Sequence, residues 1–399
     1  MLHKATIAGA HAPSYQLGSK LLQAVGEIDI AGRQLNKLAV KIGGELTEAR
    51  DARTEAYFAG PLPRPRKQPA TPMALACVSS DGVRMQTRTE GPGRGVQQPH
   101  WRETKNALFL RCSGVSFQHD PHPHLPACFA DRRRMKSLLS GIADDAAHPN
   151  DDAAHPNEVD ETTRQDPWRP EVLFRTCLSS LADSDAFGRM METEADARGF
   201  YCAAKRAYVA DGLPYNWTIQ QRHFPTFTPI LDFVHVVEHL HEAARAVSDE
   251  EEATWQLHMA WTQACWQGRA EQVLDALRGY QQHLGSPPPA CESTDPRQVV
   301  ASTLGYLENN AHRMDYPRYR REGLPITSSH MESYVKELNY RVKSTEKFWN
   351  DGASGEAILS LRSASLCDDD RLSAHLRARP GNPFHPNARA KPTSLASAG

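Results

Sequence analysis

Nothing in the 399-residue chain approaches the ~20 consecutive apolar positions of a membrane-spanning helix. The opening stretch MLHKATIAGAHAPSY also lacks the continuous apolar core of a secretory signal. A cytoplasmic protein with no membrane partner is therefore expected. There is no C-x-x-C either, and the 8 cysteines are scattered, which argues against a disulfide or zinc framework and fits reduced thiols. Charge is nearly balanced, at −2 overall, so bulk charge does not advertise nucleic-acid binding. Basic residues come instead in clusters: Arg64-Pro65-Arg66-Lys67, Arg132-Arg133-Arg134, and the run holding Arg318, Arg320 and Arg321. Such clusters are solvated faces unless the fold collects them onto one surface.

The most organised stretch runs from Leu324 to Trp349. Pro325 forbids a helix entering from upstream, and Ser328 and Ser329 can cap one that begins near His330. Met331, Val335, Leu338 and Val342 recur at the spacing of one apolar stripe. The neighbouring row is Glu332, Lys336, Asn339 and Lys343, a single carboxylate in an otherwise basic or amide series. Two readings stand side by side. Ser329 and Glu332 can form an S-x-x-E capping box with the lysines solvated, or Glu332 is a metal ligand and Lys336 and Lys343 lie along a phosphate backbone. Only the second requires further carboxylates at the same point.

The rest of the chain offers them. Residues 1 to about 70 have helical spacing, and PLPRPRKQPATP reads as a linker. MALACVSSDGVRMQTR reads as two strands around Asp81-Gly82, a common hairpin signal, and KNALFLRC as a third strand, giving an antiparallel start to a sheet. The polar stretch 113–166 holds His119, His122, His124 and Cys128, at no standard zinc spacing. It also holds a tandem DDAAHPN at 144–157, read as an exposed duplication. From Pro167 to Gly199 the pattern reads as helix. AYVADG is a short strand ending at Asp211. PILDFVHVVEHL is a strand entering a helix, with Asp232 as a cap or functional acid and His235 three residues on. A helical block with Trp255, Trp261 and Trp266 follows. After Trp349 comes another helix, and from about Arg377 a tail expected to be disordered.

Asp81, Asp211 and Glu332 thus stand in three different elements, each read as an element end. Converging carboxylates repel and raise one another's pKa unless a hard cation neutralises them. Two Mg²⁺ ions roughly 3.5–4 Å apart would do so and would promote phosphoryl transfer on nucleic acid.

The runs VSSDGVRMQTR, VADGLPYNW, ILDFVHVVEHL, YLENNAHRMDYPRYRREGLPITSSHMES and YVKELNYRVKSTEKFW together resemble bacterial insertion-sequence transposases of the Mutator-related DDE group. The likeness extends from about Met73 to about Leu376. It implies an α/β fold with a ribonuclease H-like core: a mixed five-stranded sheet, with an all-helical insertion before the last catalytic helix. Asp81, Asp211 and Glu332 match the three catalytic acids and would hold two Mg²⁺ ions, with Mn²⁺ able to substitute. Asp232 and His235 match the D-x-x-H signature beside the centre. Lys336, Asn339, Arg341, Lys343, Arg318, Arg320 and Arg321 would meet DNA. One departure is Ser328-Ser329-His330, where many relatives carry a glycine after the serine.

The implied division is an N-terminal helical region at 1–70, core halves at 71–112 and 167–234, and an irregular insertion at 113–166. A helical insertion at 235–323, the catalytic and following helices at 324–376, and a tail at 377–399 complete it. The implied partners are double-stranded DNA, as terminal inverted repeats and target, and further copies of the chain, in a dimer or larger assembly on DNA in the bacterial nucleoid. A ribonuclease H-like nuclease or resolvase, and a degenerate copy that only binds DNA, are the alternatives.

Overall fold

The computed structural model describes residues 1–88, 100–133, 135, 169–343, 348–350 and 353–380. The DDAAHPN repeat and the segment from 381 onward lie outside them. The chain opens with α1 (Leu2–His11), α2 (Tyr15–Gly26) and α3 (Gly32–Ala59). The sheet strands are β1 (Leu75–Arg88), β2 (His100–Cys112), β3 (Val172–Ser180), β4 (Lys205–Ala210) and β5 (Thr228–Leu231). A single turn, α4 (Ala127–Ala130), follows β2, and α5 (Ser184–Ala197) and α6 (Pro214–His223) connect β3 to β4 and β4 to β5. Then come α7 (Phe233–Val247), α8 (Glu251–Trp266), α9 (Ala270–Leu284), α10 (Pro296–Asn310) and α11 (Tyr316–Glu322). The chain returns to the sheet with α12 (Ser329–Val342), the two-residue β6 (Trp349–Asn350), α13 (Ala353–Leu366) and α14 (Arg371–Ala378).

The fold is mixed α/β. Its main sheet has the order β3-β2-β1-β4-β5, with β6 pairing the far end of β1. β2 is antiparallel to both neighbours, whereas β1, β4 and β5 run parallel. Helices cover both faces. On β3, Cys177 and Ser179 point to α13 and α12, while Thr176, of the alternate parity, takes Arg198 at the end of α5. The helical block is joined to the sheet through an aromatic cluster in which Phe233 packs edge-on against Trp266 at 5.1 Å and Tyr316 at 4.9 Å. Tyr316 and Tyr319 of α11 then donate hydroxyl hydrogen bonds to the Leu231 and Pro229 carbonyls of β5.

Several expectations are corrected. Asp81-Gly82 is not a hairpin turn: β1 runs straight through it, paired with β2 from Leu75↔Cys112 to Thr87↔His100. The stretch read as helix from Pro167 begins instead with β3, because β2 offers an edge that the segment VLFRTCLSS fills. The linker is pinned down, with Arg64 donating to the Tyr57 carbonyl at 2.8 Å and Arg66 stacked over Tyr201 at 3.8 Å. Ser329 lies inside α12, not at its cap, so the S-x-x-E box is not formed, and Ser328 at the cap makes no side-chain bond to the helix. α12 stops at Val342, and Trp349 lies beyond it, donating its indole N–H to the Val342 carbonyl at 2.8 Å. Arg377, placed at the start of a disordered tail, belongs to α14. Among the described residues no helix is long and apolar enough to cross a membrane.

Candidate active site

Parallel pairing brings the first two acids together. β1 and β4 run in register up to Ser80↔Ala210, so Asp81 and Asp211 are the next residues along two adjacent strands. A hydrogen-bond chain holds them there. Asn216 of α6, fully buried, donates to Asp211 Oδ1 at 2.6 Å and accepts from the Ser80 hydroxyl at 2.7 Å, and Ser80 also pairs with Tyr208 at 2.7 Å. Asn216 is a site residue that the sequence reading, which took only Asp211 from DGLPYNW, misses. Its signal is an amide one helical turn beyond an acid, at the start of a helix that Pro214 announces.

The third acid arrives on α12, which packs on β1 and β2 through a stripe including Met331, Tyr334, Val335 and Leu338. Its start is fixed by Asp232. This fully buried carboxylate caps α7 through the Val234 N–H at 2.8 Å, and its other oxygen accepts from the Ser328 N–H at 3.1 Å and from the Ser328 hydroxyl. The Phe233 N–H also donates to the Ile326 carbonyl at 2.9 Å. Asp232 therefore ties the β5–α7 junction to the residue that opens α12, one turn before Glu332.

The electrostatics tie Asp81 to both other acids. Burial pushes Asp81 up, Asp211 adds to the push and Glu332 adds a little more; with His235 and the Gly82 N–H opposing, the group settles at about 7. Asp211 is also raised by burial, against the opposing pull of His235, the Leu213 N–H and Asn216. For His235 burial acts downward. It is outweighed by the Glu238 carboxylate, 3.4 Å from Nδ1, and by Asp232 and Asp211, which hold it up at about 10. His235 is thus an imidazolium at neutral pH, the counter-charge of the acid group.

Among the described residues the Asp81 carboxylate accepts from the Gly82 N–H alone, and that of Asp211 from Leu213 and Asn216, in each case on Oδ1. Among the described residues the second oxygen of each takes no hydrogen bond from the protein. Hard oxygens with unused lone pairs suit a divalent cation. As the side chains stand, no three His, Cys, Asp or Glu among the described residues are close enough to share an ion. That holds equally for His119, His122, His124 and Cys128; in that segment Asp120 accepts from Arg320 Nε at 2.9 Å.

The basic residues divide. Lys336 and Arg321 are exposed, and Arg318, Asn339 and Lys343 partly so. Arg320 and Arg341 are corrections: at 0% and 2% exposure neither meets solvent. Arg320 pairs with Asp120 and stacks on Trp266 at 4.0 Å, while Arg341 donates to the Gly9 carbonyl at 3.1 Å beneath the Tyr15 ring. No protein-family model matches the chain, and no curated protein matches it.

Proposed function

We propose that the chain is a DNA transposase of the DDE type, built on a ribonuclease H-like core. The observation that carries this reading is the parallel pairing of β1 and β4, which sets Asp81 and Asp211, acids 130 positions apart (211 − 81), side by side on adjacent strands, while the charge of Glu332, on a later helix, also acts on Asp81. The sheet order supports it: three antiparallel strands lead into parallel ones, with the first acid on β1, the second at the end of its neighbour β4 and the third on a later helix. The helical block between the D-x-x-H segment and α12 supports a transposase over a minimal nuclease of the same core, which does not need one.

In this reading Asp81, Asp211 and Glu332 hold two Mg²⁺ ions, which when bound activate a water or 3′-hydroxyl and stabilise the leaving oxygen of a phosphodiester. Asp232 keeps α12 in register, so that Glu332 faces the strand acids. His235 balances part of their charge and makes their joint ionisation less costly. Lys336, one turn along from Glu332, contacts the DNA backbone as a point charge.

The test uses DNA flanking the reading frame, with Mg²⁺ and the full-length protein. Wild type cuts 3′ ends and joins them to a target. Asp211→Asn and Glu332→Gln lower the single-turnover cutting rate by about 10²–10³-fold, the scale of losing one preorganised electrostatic contact, and leave the unfolding midpoint no lower. Cutting by the Asp211→Asn variant at the wild-type rate overturns the reading. Cutting without joining favours a nuclease or resolvase.

A further inference from the structure

Tyr215 lies in the first turn of α6, four residues past Asp211. Its hydroxyl is shut off from solvent and has no hydrogen-bond partner among the described residues. A Cβ built on Gly82 would stand 2.9 Å from that hydroxyl and 2.6 Å from Glu103 Oε1. The tyrosine oxygen therefore rests against the backbone just after Asp81, and a glycine at position 82 is what lets it approach. The charges that act on it are, in order, Asp211, Asp81 and Glu103. Glu103 is itself engaged by Lys105 Nζ at 2.9 Å, and Lys105 lies 5.4 Å from the centre of the Tyr215 ring.

A buried O–H left without an acceptor destabilises a fold, and native structures rarely keep one idle. The donor lies against the backbone of Gly82, the residue after Asp81, and among the described residues the second oxygens of both strand acids are also unused. A ligand that satisfies both must offer acceptor oxygens to the tyrosine and tolerate the acids. A phosphodiester bound together with divalent cations does so. We propose that on DNA binding the Tyr215 side chain, which is partly exposed, shifts so that its hydroxyl donates to a non-bridging oxygen of the DNA phosphate held at Asp81 and Asp211, which makes Tyr215 a substrate-contacting residue. This rests on the function proposed above.

Tyr215→Phe removes only the hydroxyl. The probe is a fluorescein-labelled duplex of the DNA flanking the reading frame, with Ca²⁺ for binding and Mg²⁺ for cutting. The variant, free of DNA, unfolds at the wild-type midpoint or above it, since no internal bond is lost. Its affinity for the duplex in Ca²⁺ falls about tenfold, as for the loss of one hydrogen bond to a charged acceptor, and its cutting rate in Mg²⁺ falls at least as far. A midpoint several degrees lower identifies the hydroxyl as a structural bond and overturns the proposal, as do affinity and rate within twofold of wild type. If wild type neither binds nor cuts the duplex, the transposase reading fails and carries this one with it. Wild type cutting while the Tyr215→Phe variant keeps pace sinks the tyrosine alone.

Discussion

Charge alone does not tell an arginine that meets DNA from one that holds the protein together; environment does. Arg320 has no solvent contact, an ion pair with Asp120 and a Trp266 ring beneath it. Removing one partner of such a pair strands the other. Arg320→Met is expected to lower the free energy of urea unfolding by about 3 kcal/mol and to leave the salt dependence of DNA binding unchanged in the protein that remains folded. Lys336→Ala is the mirror case. Its side chain is exposed, so stability is unchanged while the slope of log affinity against log salt becomes shallower by about 1. Titration against salt and urea melts of both variants separate the two roles. Part of this was legible in the sequence. Tyr334, Leu338 and Arg341 follow one another at spacings of four and three, so Arg341 adjoins the apolar stripe of α12 and is drawn into it. Arg320 gave no such sign, because its acid lies two hundred residues earlier in an irregular segment.

Between elements, the sequence conveyed period better than partnership. The apolar stripe of α12, the strand before Asp211 and the strand-to-helix step at Asp232 were readable because each is a local pattern that its own residues enforce. β1 was misread as a hairpin because Asp-Gly signals a turn locally, whereas thirteen paired positions along β2 keep the strand extended. β3 was misread as helix because its second half, Thr176 to Ser180, is buried on both faces, which erases the polar alternation that marks a strand. The α7–α8 pair holds another feature that no local pattern announces. His258 is fully buried, neither ring nitrogen has a hydrogen-bond partner among the described residues, and it packs edge-on against His241 at 5.0 Å. Burial, and then His241, lower it to about 3, against an ordinary value of 6.5. Between those two pH values the unfolded chain binds a proton that the folded chain refuses. The stability His258 allows is therefore intact above pH 6.5 and declines as pH falls toward 3, with a slope approaching about 1.4 kcal/mol per unit from this group. Urea midpoints measured at pH 7.5, 5.5 and 4.5 should fall more steeply for wild type than for His258→Leu. Parallel lines would mean that this histidine finds a partner in solution.

At the scale of the whole molecule, the N-terminal helices are part of the body that carries the acids. Gly43 of α3 lies so close to the Ala357 backbone of α13 that no Cβ fits between them. Arg50 of α3 reaches Glu356 at 2.6 Å, and Glu356 in turn accepts from the Ser180 hydroxyl at 2.8 Å and the Leu181 N–H at 2.7 Å, at the end of β3. Arg53 pairs with Glu194 of α5 at 2.8 Å, and Arg341 of α12 ends on the carbonyl of Gly9. One apolar cluster joins Ala39 and Ile42 to Leu338, Val342, Ile358 and Leu361. These bonds reach the sheet edge and the helix bearing Glu332, so a DNA-recognition role for residues 1–70 has to be exercised without detaching from the core. A chain lacking residues 1–60 is expected to lose its cooperative thermal transition and to aggregate, because the apolar face of α13 and the C-terminal turn of α12 lose their cover. Co-expressing residues 1–60 as a separate piece should restore a soluble complex. A truncated chain that stays monomeric, with the near-ultraviolet circular dichroism of the full protein, would show instead that α12 and α13 hold the site on their own.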